Sequence, residues 1–224
     1  MILQDIFEIA SNSKSRRLDE LYIPSSIEEA GEILKKYGYR RIGQDSYYGM
    51  VFHKKGEKSV LKLFTKQDHA YREFVSIAIR HRDNPHFPRF SRQVVQIKGT
   101  EYDAIKTELL SEGNKKEKAI VCHMFFIMHT IFAKGKYDFN SKLKSHVGAK
   151  TPEEYEAFYK KWVADNPSLT EAFDIILFNF IDNEKARIDI HEDNLMMRGN
   201  TVVIIDPVGA TDYVNNRRFI EFWT

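Results

Sequence analysis

Internal disulfide bonding is excluded at once, because Cys122 is the single cysteine among 224 residues. A reducing compartment is the simplest setting for such a chain, and within the apolar run Ala119 to Phe126 a buried, inert thiol is expected rather than a nucleophile. With 6 Pro and 11 Gly, collagen-like and low-complexity structure is out, and with 42% apolar residues so is disorder. Charge of one sign is lacking too: 34 Lys and Arg against 32 Asp and Glu leave a net charge of +2. That balance provides no electrostatic footprint for nucleic acid, which is therefore not an expected partner. Long hydrophobic runs are missing as well. Met124 to Ala133, the most apolar stretch, is broken by His129 and Thr130 and falls short of the roughly 18 to 20 residues that cross a bilayer. The opening Met1-Ile2-Leu3-Gln4-Asp5 has neither the basic nor the apolar part of a signal peptide. A cytoplasmic protein with no membrane partner is the expectation.

The length exceeds the usual single-domain mode of about 100 to 150 residues, so two lobes sharing a cleft are as consistent as one core. Two styles of sequence follow each other. Short β-type runs occupy Tyr39 to Ile42, Gly49 to His53, Ser59 to Phe64, Val94 to Ile97 and Tyr102 to Glu108, interrupted by one helical segment, Asp68 to His81. Ahead of them Ser25-Ser26-Ile27-Glu28-Glu29 carries Ser-x-x-Glu twice, as a capping box does, and leads into Ala30 to Lys36. The first twenty residues read as helical too. After Gly113 come helices. Glu117 to Ala133, apolar on nearly every face, is expected as a buried central helix, with Lys115-Lys116-Glu117-Lys118 as its solvated start. Thr151-Pro152-Glu153-Glu154 starts a second helix through Ala164, and a third runs from Ser168 to Asp182, with Phe173, Phe178 and Phe180 read as core. A β unit closes the pattern: Leu195 to Arg198, the turn pair Gly199-Asn200, then Thr201 to Ile205 and Pro207. The pattern predicts an α+β chain, β-rich over 1–110 and helical over 111–224, with a cleft where polar strand ends meet at the junction.

The most informative stretch is Arg187-Ile188-Asp189-Ile190-His191-Glu192-Asp193-Asn194, followed by the hairpin and Asp206-Pro207. With a three-residue loop Asn194 pairs with Asp206; with the two-residue loop Gly199-Asn200 it faces Ile205, one step away. In either register an amide oxygen and a carboxylate meet at one hairpin end, a hard-oxygen site suited to Mg²⁺ bound through substrate phosphates. Asp189, on the loop entering the hairpin, can aim a second carboxylate there. Gathering Asp189, Asp193 and Asp206 needs a metal or a base in the explanation, since two unit charges about 4 Å apart repel by roughly 4 kcal/mol at an effective dielectric of 20. An alternative is a transition metal held by Asp189, His191, Asp193 and Asp206 in a hydrolase. Upstream, Lys62 lies inside the apolar run Ser59 to Phe64, and Ala70, Glu73, Phe74 and Ile77 share one helical face. Glu73 would then pack toward the sheet and need a cation, for which Lys62 is the natural candidate.

The spacing Asp-x-x-x-x-Asn, a turn-linked β pair and then Asp resembles the protein-kinase catalytic loop H-R-D-x-x-x-x-N followed by the Asp of D-F-G. The wording D-x-H-x-x-N-x-M, a short hairpin and I-D-P-V resembles the minimal serine/threonine kinases encoded by bacteriophages. The close match covers Arg187 to Val208, and a looser one reaches back to Gly43. This resemblance implies a two-lobed protein-kinase-like fold with a truncated C-lobe, ATP and Mg²⁺ as cofactors, and a protein substrate or host partner protein. It implies Asp189 as catalytic base, Asn194 and Asp206 as Mg²⁺ ligands, and Lys62 on the phosphates, fixed by Glu73. The loop from Ile42 to Val51 stands where the Gly-rich loop would be, with Gly43, Ser46 and Gly49 toward phosphate, and Glu108 to Leu110 stands at the adenine-contacting hinge. His191 would brace the catalytic loop through backbone or Asp206.

The sequence also departs from that family. Arg187 replaces the His of H-R-D, Pro207-Val208-Gly209 follows the metal-binding Asp, and the loop has two glycines where three are usual. Only 18 residues follow Asp206, so no activation segment or peptide-binding helices are expected. A non-catalytic kinase-like binding protein and a small-molecule kinase therefore stand as alternatives.

Overall fold

The computed structural model describes residues 27–43, 49–91, 94–96, 101–137 and 148–211. The helix expected in the first twenty residues, its Ser25-Ser26 neighbour and Ser46 lie outside them. Contacts divide the chain into two compact units: one runs to Asp68 and adds Arg89–Leu109, and the other joins His69–Pro88 to the residues from Leu110 onward.

The first unit is helix α1 (Ile27–Lys36) and an antiparallel sheet of β1 (Tyr39–Ile42), β2 (Gly49–Lys54), β3 (Ser59–Thr65), β4 (Val95–Gln96) and β5 (Tyr102–Glu108), in the order β1-β2-β3-β5-β4. Alternation along the strands sorts the side chains onto two faces. Met50, Phe52, Leu61, Leu63 and Ala104 share one face and form a cluster with Leu34 of α1. Lys62 is on the other, opposite Val51 and Ile105, beside the fully buried Phe64. Since β3 is the central strand, Lys62 is not an edge charge.

The second unit contains α2 (His69–Arg80), α3 (Lys115–Lys134), α4 (Pro152–Asp165), α5 (Pro167–Phe180), and four short strands: β6 (Ala186–Ile188), β7 (Leu195–Arg198), β8 (Thr201–Ile204) and β9 (Val208–Ala210). β6 pairs with β9 and β7 with β8, each antiparallel. The sequence reading put 69–88 with the β-rich half; it belongs here because α2 packs on β6 and β9. Helix ends follow local chemistry. Asn114 caps α3 through the Lys116 amide, Gly135 ends it at φ 70°, and Thr151 with Glu154 forms a capping box on α4. The core includes Phe125 edge-on to Phe173 at 4.9 Å, and Met124, Ile127 and Tyr155 beside His123, whose ring meets the Tyr155 hydroxyl. Cys122 is buried, its thiol pushed up to about 12 chiefly by desolvation, as suits an inert group. No helix among the described residues is long and apolar enough to cross a membrane.

Two expectations fail on α3 and α5. Phe178 is 80% exposed, because Leu169, Phe173, Ile176, Leu177 and Phe180 turn the opposite side of α5 inward. Lys118 is buried rather than solvated.

Between β5 and α3, Ser111 exchanges two backbone hydrogen bonds with Met197 of β7, at 3.0 and 2.7 Å. Gly113 follows at φ +73°, where an added Cβ would stand 2.0 Å from Met197 Cγ. Gly113→Ala is expected to cost about 1–3 kcal/mol through overpacking and a strained backbone, lowering the melting temperature by several degrees. Adding Met197→Ala should recover part of the loss; equal melting of wild type and Gly113→Ala would refute the account.

Candidate active site

Asp189 follows β6, and Asp206 precedes β9, so the β6–β9 pairing brings their loops together. The Asp189 amide donates to the Pro207 carbonyl at 2.7 Å. Asn194 enters β7 through a short 3₁₀ turn, Glu192–Asn194. The β7–β8 register, Leu195 with Ile204 and Arg198 with Thr201, selects the two-residue loop Gly199-Asn200. Asn194 therefore faces Ile205, whose amide donates to the Asn194 carbonyl at 2.9 Å.

The Asn194 side chain is held from one end. Nδ2 donates to the Asp189 carbonyl at 2.7 Å and to His191 Nε2 at 2.9 Å, so His191 carries its proton on Nδ1 in this network. Oδ1, facing away from these acceptors, makes no hydrogen bond among the described residues. The His191 ring stands between two carboxylates, 3.8 Å from an oxygen of Asp189 and 3.8 Å from one of Asp193. His191 thus braces the loop through the Asn194 amide rather than through backbone or Asp206, and Asp193 is largely exposed.

Burial pushes the half-buried Asp189 carboxyl above the ordinary carboxylate range; His191 and Arg187 pull it down, and the charge of Asp206 adds to the rise. Asp206 is half-buried. The donor set fits a hard divalent cation: Asn194 Oδ1 and the Asp206 carboxylate offer oxygen donors, and Mg²⁺ needs only one or two from protein when phosphates and water complete its shell. Among the described residues no group of three or more His, Cys, Asp and Glu could hold a metal ion. The transition-metal hydrolase alternative therefore has no cluster to rest on.

Within the first unit, Lys62 is half-buried on β3. Gly43 takes φ +78° with open space beside it, whereas a Cβ on Gly49 would meet the Leu63 carbonyl at 2.5 Å. The sheet itself accounts for Gly49, through close approach to β3. Glu108 accepts from the Arg89 amide at 2.8 Å. The unit boundary falls directly before Leu110, whose backbone carries no hydrogen bond among the described residues. Glu73 corrects the reading of α2. Ala70, Tyr71, Phe74, Val75, Ile77 and Ala78 form the buried stripe, which leaves Glu73 beyond its edge, exposed and accepting from Asn183 Nδ2 at 3.3 Å. It is not a buried carboxylate in need of a cation.

The reading of the sequence missed the support behind the hairpin. His86 and Asn84 follow α2. The His86 ring bonds the Val202 carbonyl at 2.7 Å and Ser168 Oγ at 3.0 Å, while its own carbonyl accepts from the Ile204 amide at 2.9 Å. Asn84 in turn bonds the His86 amide, the Ser168 carbonyl and Glu171. The signal available was the Asn-Pro turn in Asn84-Pro85-His86. Nothing in spacing alone says that a histidine there is buried. A cavity of about 510 Å³, lined by Trp162, Phe158, Ser168 and Asn200 among others, opens by the turn at the far end of the hairpin. None of Asp189, Asn194 and Asp206 lines it.

No protein-family model matches the chain, and no curated protein matches it. Solved structures do. The kinase PK-1 of Cydia pomonella granulovirus is similar with a TM-score of 0.39 and 12% identity, over 80% of this chain and 57% of that one. Spectinomycin phosphotransferase APH(9)-Ia, solved with ADP and spectinomycin, is similar with a TM-score of 0.34 and 14% identity, over 84% and 71%. Both have protein-kinase-like folds. The chain spans little more than half the length of the viral kinase.

Burial holds the His86 imidazole below its usual value, against the pull of the Val202 carbonyl and together with Arg198. A histidine whose folded value lies below its unfolded one, about 6.5, stabilises the fold fully above that pH. Below it the unfolded chain takes up the proton first, and stability is lost at up to about 1.4 kcal/mol per pH unit. Denaturant melts at pH 7.5 and 5.5 should therefore show a larger acid-dependent loss in wild type than in His86→Asn. Equal losses would contradict it.

Proposed function

We propose that this chain is a Mg²⁺-ATP-dependent phosphotransferase, and that its acceptor is a serine or threonine hydroxyl of a protein. The observation that carries the reading is the junction of the β6–β9 and β7–β8 pairs, where Asp189, Asn194 and Asp206 are gathered by backbone hydrogen bonds. Asp189 accepts the proton of the acceptor hydroxyl as that oxygen takes the γ-phosphoryl group and ADP leaves. A carboxyl raised above its ordinary range is a stronger base for this step. Asn194 Oδ1 and Asp206 would hold Mg²⁺, which neutralises charge on the β and γ phosphates. Lys62, a cation projecting from a central strand, is assigned to the α and β phosphates. Glu73 of α2 is exposed and accepts from Asn183 Nδ2 at 3.3 Å. Gly43 is assigned to the turn of the phosphate loop, with Ser46 as its hydroxyl donor, and Glu108 to Leu110 to the adenine side. Such a site acts by positioning and by charge stabilisation.

Purified protein given γ-labelled ATP and Mg²⁺ should label itself or an added protein. Asp189→Ala should lower the rate by about 10²- to 10⁴-fold with nucleotide affinity nearly unchanged. Asp206→Ala should lose both transfer and the Mg²⁺ dependence of nucleotide binding. Nucleotide-dependent melting shifts without label transfer would replace this reading with a non-catalytic nucleotide-binding module. Labelling of aminoglycosides or choline, and not of protein, would move the acceptor to small molecules.

A further inference from the structure

Lys118 is 7% exposed, although it sits in a charged run at the start of α3. Its Nζ donates to the Leu195 carbonyl at 3.0 Å, the one hydrogen-bond partner of that ammonium among the described residues. Leu195 is the residue after Asn194, and α3 packs against the turn Glu192–Asn194.

The ladder explains why a donor is needed there. The Ile205 amide donates to the Asn194 carbonyl, so the next pair, Leu195 with Ile204, is a non-hydrogen-bonded pair whose polar groups point out of the hairpin. The Ile204 amide finds the His86 carbonyl, and the Leu195 amide finds Glu192. That leaves the Leu195 carbonyl, buried and needing a donor. Lys118 supplies it. A serine or a water could also donate, and methionine would fill the space without the cost of desolvating an ammonium. One turn along α3, Cys122 feels the charges of Glu192, Lys118 and Asp193 together. The ammonium therefore lies by the acidic turn that delivers Asn194.

Building on the phosphotransferase reading, we infer that Lys118 is a positioning residue. By holding the Leu195 carbonyl and offsetting the charge of the Glu192–Asn194 turn, it fixes the aim of the Asn194 amide at the metal.

The test compares wild type with Lys118→Met, and with Lys118→Gln in case the first does not fold. Three quantities are read: the Mg²⁺ concentration for half-maximal label transfer at saturating ATP, the exchange rate of the Ile205 amide, and the melting temperature. A displaced outer-shell partner typically costs about 10- to 100-fold in metal affinity, so half-saturation by Mg²⁺ should rise by about tenfold. The rate at saturating Mg²⁺ should change little, and Ile205 exchange should accelerate. The melting temperature should fall for Lys118→Met, which leaves the buried Leu195 carbonyl without a donor, and less for Lys118→Gln, whose amide can donate. A lower melting temperature with unchanged Mg²⁺ dependence and Ile205 exchange would make Lys118 merely structural and overturn the inference. If wild type transfers no phosphoryl group, the phosphotransferase reading fails by itself. Ile205 exchange then decides the anchor: acceleration supports it and no change overturns it.

Discussion

Asp189 and Asp206 repel one another, yet the Asp189 amide donates to the carbonyl of Pro207, one residue beyond Asp206. That bond closes the β6–β9 pair and sets two carboxylate-bearing loops side by side. Two neighbouring bonds continue it. The Ile205 amide reaches the Asn194 carbonyl, and the Asn194 side chain reaches the Asp189 carbonyl. Asp189, Asn194 and the segment carrying Asp206 are thereby tied together by two backbone bonds and one from the Asn194 side-chain amide. Asn194 Oδ1 takes no part in these bonds.

A backbone network this small, built on three- and four-residue strands, does not stand alone. It is clad from outside by α2, which packs on β6 and β9, by α3 on the turn of Asn194, and by the segment after α2, where Asn84 and His86 are found. Each support meets a backbone group that the ladder leaves over: the His86 carbonyl takes the Ile204 amide, the His86 ring takes the Val202 carbonyl, and Ser111 takes both groups of Met197. A hairpin of this length is marginal in isolation. What keeps it in place is the completeness with which its outward polar groups are paired by residues distant in sequence.

This explains how far the chain could be read before folding. Strands β2 and β3 carry apolar runs long enough to be recognised, and Thr151-Pro152-Glu153-Glu154 announces α4 by its capping chemistry. The order Asp189, Asn194, hairpin, Asp206 was legible because the spacing and the Gly199-Asn200 turn confine the register to two choices. The β6–β9 pair was not, since three residues are too few to show a period. Glu73 was misplaced because a helical stripe read from four residues fixes its centre poorly; Tyr71 and Ala78 shift that centre away from it. Lys118 and His86 escaped for a different reason. Whether a polar side chain is buried depends on a carbonyl that the chain delivers much later, Leu195 or Val202, and no local pattern encodes that meeting.

Two titrating groups of this unit, His86 and Asp189, oppose each other in their effect on the fold. His86, held below its unfolded value, adds stability above about pH 6.5 that drains away as the pH falls through its folded value. Asp189, held above its unfolded value, does the reverse. Its ionised form is less at ease in the fold than in the unfolded chain, so it subtracts stability at neutral pH, and the deficit closes as the pH falls toward the ordinary carboxylate range. The carboxylate of the candidate site thus strains the fold, and the histidine behind the hairpin stabilises it. A base raised by burial and by a neighbouring carboxylate can persist only where residues remote from the reaction over-determine the backbone around it. The ring of paired carbonyls and amides behind Asn194 and Asp206 meets that requirement.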